Sequence, residues 1–424
     1  MNWESNYLQF KSKANLDSIA ANQIRQRAFE HFISQGLPTK KQEAWKYTSL
    51  TDFKDIKWES DVEGEETLSH EQMKEISKSL PVEFYNVVLV NGVLHRTLSD
   101  DLSDQVQIHE VDTHDFIREE NHVDDQILNL ANAFLNKKIL VKIKKGHVFD
   151  KPLQILILQS SKNSVYHSER FDIRVEENAE LTLIVHSLSF VNSKAAALNV
   201  NLKISLADDA KVKFIQLQNE DITAFHFSQT EVELKSKSQF QSLVMSLGTG
   251  LTRNYFHLNF QGHHSYAGIY GLSTLDSKQH VDNYTFIQHS LGENQSVQHY
   301  KSILSGAAES AFRGRVRIER DAQKANSEQL NNNLLLTREA QANSIPQLEI
   351  YADDVKAGHG ATIGQLNKDE IFYFLSRGIN QYDAVKMLSY GYAKELIYKF
   401  ENEIIQNFLI KALQGKLERM IQNA

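Results

Sequence analysis

Ile173-Arg174-Val175, then Asn178, then Leu181-Thr182-Leu183 is matched one unit later by Leu202-Lys203-Ile204, then Asp209, then Val212-Lys213-Phe214. Each unit is an alternating triplet, a polar corner and a second alternating triplet, and alternation at a period of two marks a strand with one buried face. Further corners fall near Lys237, His264, Asn294 and Asp321, with a looser seventh near Ala357, and the first six stand 27 to 31 residues apart. Repeats of that length indicate a stack of supersecondary units. A propeller blade needs about 40 residues, so units this short predict a mainly β chain built on a right-handed parallel β-helix, each coil burying its inward side chains against its neighbours. A large β-sandwich with irregular loops is the other reading. Asn331-Asn332-Asn333 suits the stack, because amides in successive coils can bond to one another.

Outward from the repeat, Pro152 and Pro346 bracket the strand-rich centre, two of only four prolines in the chain. The solenoid is assigned to 151–366, an N-terminal helical and α+β domain to 1–150, and a C-terminal helical domain to 367–424. In the first, Leu16, Ile19, Ile24, Ala28, Phe29 and Phe32 recur at helical spacing, and Gly36-Leu37-Pro38 ends that helix. Thr39–Leu50 mixes charge with Trp45 and Tyr47 and reads as packing or as a docking surface. Residues 51–80 are acidic with few apolar anchors and read as a loop with a short exposed helix. Asn91-Gly92 between Tyr85–Val90 and Val93-Leu94 predicts a hairpin, since both turn positions require positive φ; a helix over 126–135 closes the unit. At the C-terminus, Asn367 and Glu370 start a helix that Gly378 stops. Two longer helices follow, marked by Leu388, Leu396 and Phe400 and by Ile405, Leu409 and Leu413. These helices are expected to cap the last coil and to leave a face for another protein.

The 424 residues include 46 basic and 54 acidic side chains, a net charge of -8, which opposes a nucleic-acid partner held by a basic surface. No cysteine occurs, so the chain has no thiolate nucleophile or cysteine ligand, and an iron–sulfur site would need sulfur from a partner. No apolar run approaches the roughly 18 residues of a membrane span, and no leader pattern opens the chain; a cytoplasmic protein without a membrane partner is expected. Nucleophile elbow, zinc-protease and P-loop motifs are missing. The sequence reads as a scaffold, not an enzyme. Six histidines between His257 and His299 have irregular offsets and are assigned structural or interface roles, His280 and His289 deserving most scrutiny. Asp353-Asp354, in a strand, would point to opposite faces and could not serve one substrate.

Near the end of the repeat, Leu348, Ile350 and Ala352 alternate with polar residues and lead into Gly358-His359-Gly360. Glycine on both sides removes two Cβ atoms, permits positive φ, and leaves one imidazole projecting from an accessible backbone. No second ligand lies at a spacing typical of metal sites. The residues alone therefore leave His359 either a turn residue or a ligand.

The stretch from Gln347 to Gln365, with Ile371–Ile379, Asn331–Leu336, Tyr300–Ile303 and His280-Val281-Asp282, resembles the SufB/SufD scaffold family of SUF iron–sulfur cluster assembly. Glu43-Ala44-Trp45-Lys46-Tyr47-Thr48 is similar to the SufD branch, and the lack of cysteine sets the chain apart from the sulfur-accepting SufB branch. The resemblance implies a parallel β-helix core between helical domains, pairing with SufB through the core, and binding of the ATPase SufC through the C-terminal helices. It implies no intrinsic cofactor, but a transient iron–sulfur cluster at the SufB interface, with His359 as the metal- and cluster-binding residue opposite a SufB cysteine. Lys356, Gly358, Gly360, Leu388, Leu396 and Phe400 are the interface candidates, and a homodimer of the chain alone is a further assembly. Relatives often carry cysteine where this chain has Ala357 and serine where it has Gly358, so no thiol of its own serves there. A β-helical polysaccharide lyase or hydrolase is the competing class and needs acidic and basic residues along one groove. A metal-free homo-oligomeric structural protein is a third, in which His359→Ala alters only stability.

Overall fold

Alternation along the repeat builds two facing parallel sheets. The computed structural model describes residues 3–13, 19–59, 68–102, 106–111, 125–135, 138–160, 163–189 and 195–422. One sheet holds β5 (Leu153–Gln159), β7 (Glu180–Ser189), β9 (Lys211–Asn219), β11 (Gln239–Ser246), β13 (Tyr266–Leu275), β15 (Gln295–Leu304), β17 (Asn326–Leu335) and β19 (Lys356–Gly364). The other holds β6 (Val165–Val175), β8 (Ala196–Leu206), β10 (Phe225–Leu234), β12 (Leu251–Phe260), β14 (His280–His289), β16 (Glu309–Ile318) and β18 (Gln341–Ile350). Each strand pairs in parallel with the one two further along, so the chain is a β-solenoid. The triplets repeated in sequence are neighbours in space: Ile173 lies beside Ile204 and Leu181 beside Val212.

Asn178, Asp209, Lys237 and His264 sit at the corners with left-handed φ of 57–60°, a region Asn and Asp tolerate better than most residues. The next corners are displaced from the expected positions, to Glu293 and Lys324. Asn294 instead clamps two coils, donating to the carbonyls of Gly262 and Leu291 at 2.8 and 2.9 Å and accepting from the Ser265 amide at 2.8 Å. Ala357 is no corner: it lies within β19 and packs against the interior. The last turn is at 351–355, so Asp353 and Asp354 occupy a bend, not a strand.

Inside the solenoid one side is aliphatic and aromatic, from Ile173 and Leu183 through Phe214, Phe240 and Phe256. The other is polar and amide-rich. Gln218 donates to Asn254 at 2.7 Å, and Asn254 to Asn283 in the next coil at 2.9 Å; Asn333 donates to Asn331 at 2.8 Å. Both sheets extend into the N-terminal region. β1 (Tyr85–Val90) pairs with β5, β4 (Lys138–Ile143) with β6, and β3 (Val106–Val111) runs antiparallel to β4. The predicted hairpin is present: β2 (Val93–Leu94) folds back on β1 through Asn91 and Gly92, at φ 48° and 81°.

Helices α1 (Trp3–Lys13), α2 (Ile19–Gln35) and α5 (Asp125–Ala133) gather aromatic residues over the outer face of the second sheet, where β6, β8, β10 and β12 begin. The first of these is not legible from apolar spacing alone. The segment 51–80 is better anchored than its composition indicates. It forms α3 (Thr51–Asp55) and α4 (His70–Ser79), and Phe53 is fully buried against Phe225 and Phe227, at 5.5 and 5.3 Å between ring centres. Residues 60–67 of that segment lie outside the described residues. Between α2 and α3, buried Trp45 packs under the Arg253 guanidinium at 4.6 Å, and Arg253 is ion-paired with Asp282. The Thr39–Leu50 segment is thus docked on the chain's own sheet.

Helices α6 (Lys368–Ser376), α7 (Gln381–Ile397) and α8 (Glu403–Gln422) follow the last coil. Asn367 caps α6 by accepting from the Asp369 amide, and Gly378 leaves it at φ 81°. Contrary to the expected end cap, α7 and α8 lie on the outer face of the first sheet, against Leu217, Leu243, Met245 and Leu272. That face is apolar, so packing there removes the stripes of both helices and the sheet's outer row from water.

Candidate functional site

The last coil has a neighbour on one side only. β18 bonds to β16 and β19 to β17, and the opposite edges carry backbone donors and acceptors that meet no strand among the described residues. Burial changes accordingly. β18 is at most half-buried throughout and β19 is mostly exposed, whereas alternate residues of β16 are buried along its whole length. Ile350 and Ile363 are 43% and 51% exposed.

His359 pairs in register with Gln329, which is fully buried in the interior. Its side chain therefore belongs to the inward-facing row and is exposed because no further coil covers it. Strand alternation puts Gly358 and Gly360 on the outer face, and neither has positive φ: pairing with β17 holds the backbone extended through all three residues. The glycines supply no positive φ here, and of the two readings left open for His359 the turn residue gives way to a strand residue. A Cβ at Gly360 would lie 3.1 Å from Leu330 Cδ2, while one at Gly358 would meet nothing within 4 Å. Lys356 begins the strand and is exposed; its amide donates to the Ala325 carbonyl at 3.0 Å. No group of three or more His, Cys, Asp or Glu able to hold a metal occurs among the described residues.

The helix candidates divide. Leu388 is half-buried, but Leu396 and Phe400 are fully buried between the helices and the sheet, so they hold the helices in place and face no partner. The exposed apolar residues lie nearby: Phe372 at 70%, Tyr373, Leu375 and Met387.

The clustered histidines have partners within the chain. His257 stacks on Phe286 at 5.0 Å, His263 contacts the Gly292 carbonyl at 3.1 Å, and His280 Nε2 lies 3.0 Å from Thr48 Oγ1. His264 approaches Glu293 at 3.2 Å. His289 stacks on Phe260, and burial pushes its pKa down to about 4. His299, also lowered by burial, bonds to Asn332 at 2.7 Å, and Asn332 donates to Thr362 of β19 at 2.8 Å. Beside it, Lys301 is 5% exposed and reaches Glu395 at 2.5 Å and the Tyr392 carbonyl at 3.1 Å. Lys301 holds the Glu395 carboxyl below its usual range. A row of polar contacts therefore runs across the outer face from β19 toward α7. Sequence reading does not single out Gln298 or Gln329, and it places Asn332 only within the Asn331–Asn333 ladder. The available signal was register: Gln298, Gln329 and His359 recur one coil apart.

A groove of about 390 Å³ along the first sheet is lined by Glu180, Lys211, Lys213, Gln241, Tyr266 and Glu401. Its Glu180 is paired with Lys211 at 2.7 Å.

Residues 157–392 match the family described as SUF system FeS cluster assembly, SufBD core domain, and residues 2–155 match the SufBD protein N-terminal region. The chain is 30% identical over 380 residues to the iron–sulfur cluster assembly protein SufD of Escherichia coli, covering 87% of each. It is 28% identical to an iron–sulfur cluster assembly SufBD family protein of Synechocystis, over 96% of this chain and 91% of that one. To a chloroplastic protein of Arabidopsis thaliana, ABCI7, it is 25% identical, over 89% and 82%.

Proposed function

Because the chain belongs to the SufBD family of SUF-system iron–sulfur cluster assembly proteins, we propose that it is a non-catalytic scaffold subunit pairing with SufB at the open end of its solenoid. In this reading SufC binds the C-terminal helices, and His359 helps to hold a nascent cluster between the two scaffold subunits. The observation that carries the proposal is His359 on the inward row of an uncovered last coil. An open strand edge accepts a partner strand through main-chain hydrogen bonds. His359 supplies a single nitrogen, and with no cysteine in the chain the thiolates must come from SufB; histidine replaces cysteine as a neutral ligand in some clusters. The cluster is cargo, and one neutral ligand among thiolates suits a site from which it must leave.

The exposed side chains of α6, with Met387, offer SufC an apolar surface. Lys301 and Glu395 tie α7 to the sheet that ends in β19, so displacement of the helices during ATP turnover would reach the last coil. No helix among the described residues is long and apolar enough to cross a membrane, in keeping with a proposed cytoplasmic setting.

The test is anaerobic cluster reconstitution on the co-expressed complex of this chain with SufB and SufC, wild type against His359→Ala. Iron and sulfide loading is expected to fall while the complex still assembles. Unchanged loading would remove His359 from the cluster site.

A further inference from the structure

We propose that Gln329 is a positioning residue for His359: its side-chain oxygen accepts a hydrogen bond from one imidazole nitrogen and so fixes the other, with its lone pair, toward the open end. The inference deepens the proposed role of His359 and rests on it, but the contact itself is a property of this chain alone.

A chain of side-chain amides runs up to His359 from two coils below it. Gln298 Nε2 donates to Thr285 Oγ1 at 2.5 Å, and Gln329 Nε2 donates in turn to Gln298 Oε1. The Gln298 nitrogen thus crosses the interior to the facing strand β14, and the Gln329 nitrogen reaches back to the preceding coil. With its nitrogen committed to the preceding coil, Gln329 keeps a side-chain oxygen that is buried without a hydrogen-bond partner among the described residues. The next coil sets His359 at that register. Adjacent strands are about 4.8 Å apart, within reach of an imidazole N–H once the exposed ring turns over the row. A buried acceptor without a donor is costly, and His359 supplies one.

A second feature points the same way. Gly314 on the facing sheet leaves room for the Gln329 amide, and a Cβ there would collide with Gln329 Nε2. The amide is thus held across the interior and does not swing freely. Histidine ligands commonly donate their second nitrogen to a neighbouring acceptor, which sets tautomer and ring orientation. Gln329 supplies that acceptor.

The measurement is nitrogen NMR of the chain labelled at histidine, at about pH 8 where an ordinary imidazole is neutral, with His359 assigned by comparison with His359→Ala. In the wild type, His359 is expected as one tautomer, with one protonated and one bare ring nitrogen. Gln329→Met, similar in size but lacking the acceptor, should shift both resonances toward exchange-averaged values. Gln329→Glu, which retains an acceptor oxygen, should keep the single tautomer. Asn331→Ala removes an equally buried amide two residues along and should leave the His359 spectrum as in wild type, which separates positioning from general loosening of β17. An averaged spectrum in the wild type overturns the proposal even if no variant folds; so does an unchanged tautomer in Gln329→Met. In the complex with SufB and SufC, Gln329→Met should weaken iron retention about tenfold without loss of assembly. A fixed tautomer together with unaffected loading by His359→Ala would sink the cluster role and leave the contact standing.

Discussion

Burial keeps His289 neutral well below the pH at which a free imidazole charges. The residue is fully buried, with its ring 4.5 Å from Phe260 and its Nε2 2.9 Å from Ser296 Oγ. Desolvation lowers its pKa from 6.5 to about 4, and His186, beneath Phe408, is lowered to the same value for the same reason. Between those limits the unfolded chain binds a proton that the folded chain does not, so stability falls as pH falls from about 6.5 to 4 and levels off below. A shift of this size corresponds to at most about 3 kcal/mol per histidine. Urea unfolding at pH 7 and pH 4.5 should show that loss in wild type and a smaller one in His289→Gln; equal losses in both would refute the assignment. At this scale the sequence was partly legible. Irregular spacing of the six histidines argued for structural roles, but the partners, Phe260, Phe286 and Asn332, come from neighbouring coils and become visible only once register is known.

Corners decide how the strands become coils. Lys237 is exposed at φ 57°, and its amide donates to the His263 carbonyl at 2.8 Å. A non-glycine residue in the left-handed region costs about 1–2 kcal/mol, while glycine there adds about 0.5–1 kcal/mol of unfolded-state entropy. Lys237→Gly should therefore raise stability by about 0.5–1 kcal/mol, and Lys237→Val should lower it; thermal unfolding of the two variants checks this, and a lower midpoint for the glycine variant would show that the corner carries no strain. Polar corner residues were readable because Asn and Asp tolerate this backbone. Asn294 was misplaced by one residue because its amide serves as a clamp between coils, and Ala357 because a small residue can also be an interior one. Helix α1 is not legible from spacing, since Trp3, Tyr7 and Phe10 find their partners far along the chain, Trp3 meeting Phe134 and Tyr166 at 5.6 Å.

For the whole molecule, the repeat made the solenoid legible, but not which of its surfaces the C-terminal helices cover. Apolar stripes on α7 and α8 showed that they bury a face; they could not tell an end from a side, and the apolar outer row of the first sheet won. The end is consequently left with Ile350 and Ile363 exposed beside free strand edges. An apolar edge of that kind associates readily, and an inward-pointing charge is the usual device that prevents it. Ile363→Lys puts such a charge on the inward row two positions from Ala361, where the existing side chain is already half in solvent. Folding stability should change by no more than about 0.5 kcal/mol, as for other exposed sites. Association through the end should be lost, read as failure to co-purify with SufB and as a monomeric sedimentation profile of the chain alone. Met387→Lys, on the helices at a distance from the strand edge, should leave both unchanged while weakening SufC binding. Retained SufB pairing by Ile363→Lys would move the scaffold interface away from the last coil, and His359 with it.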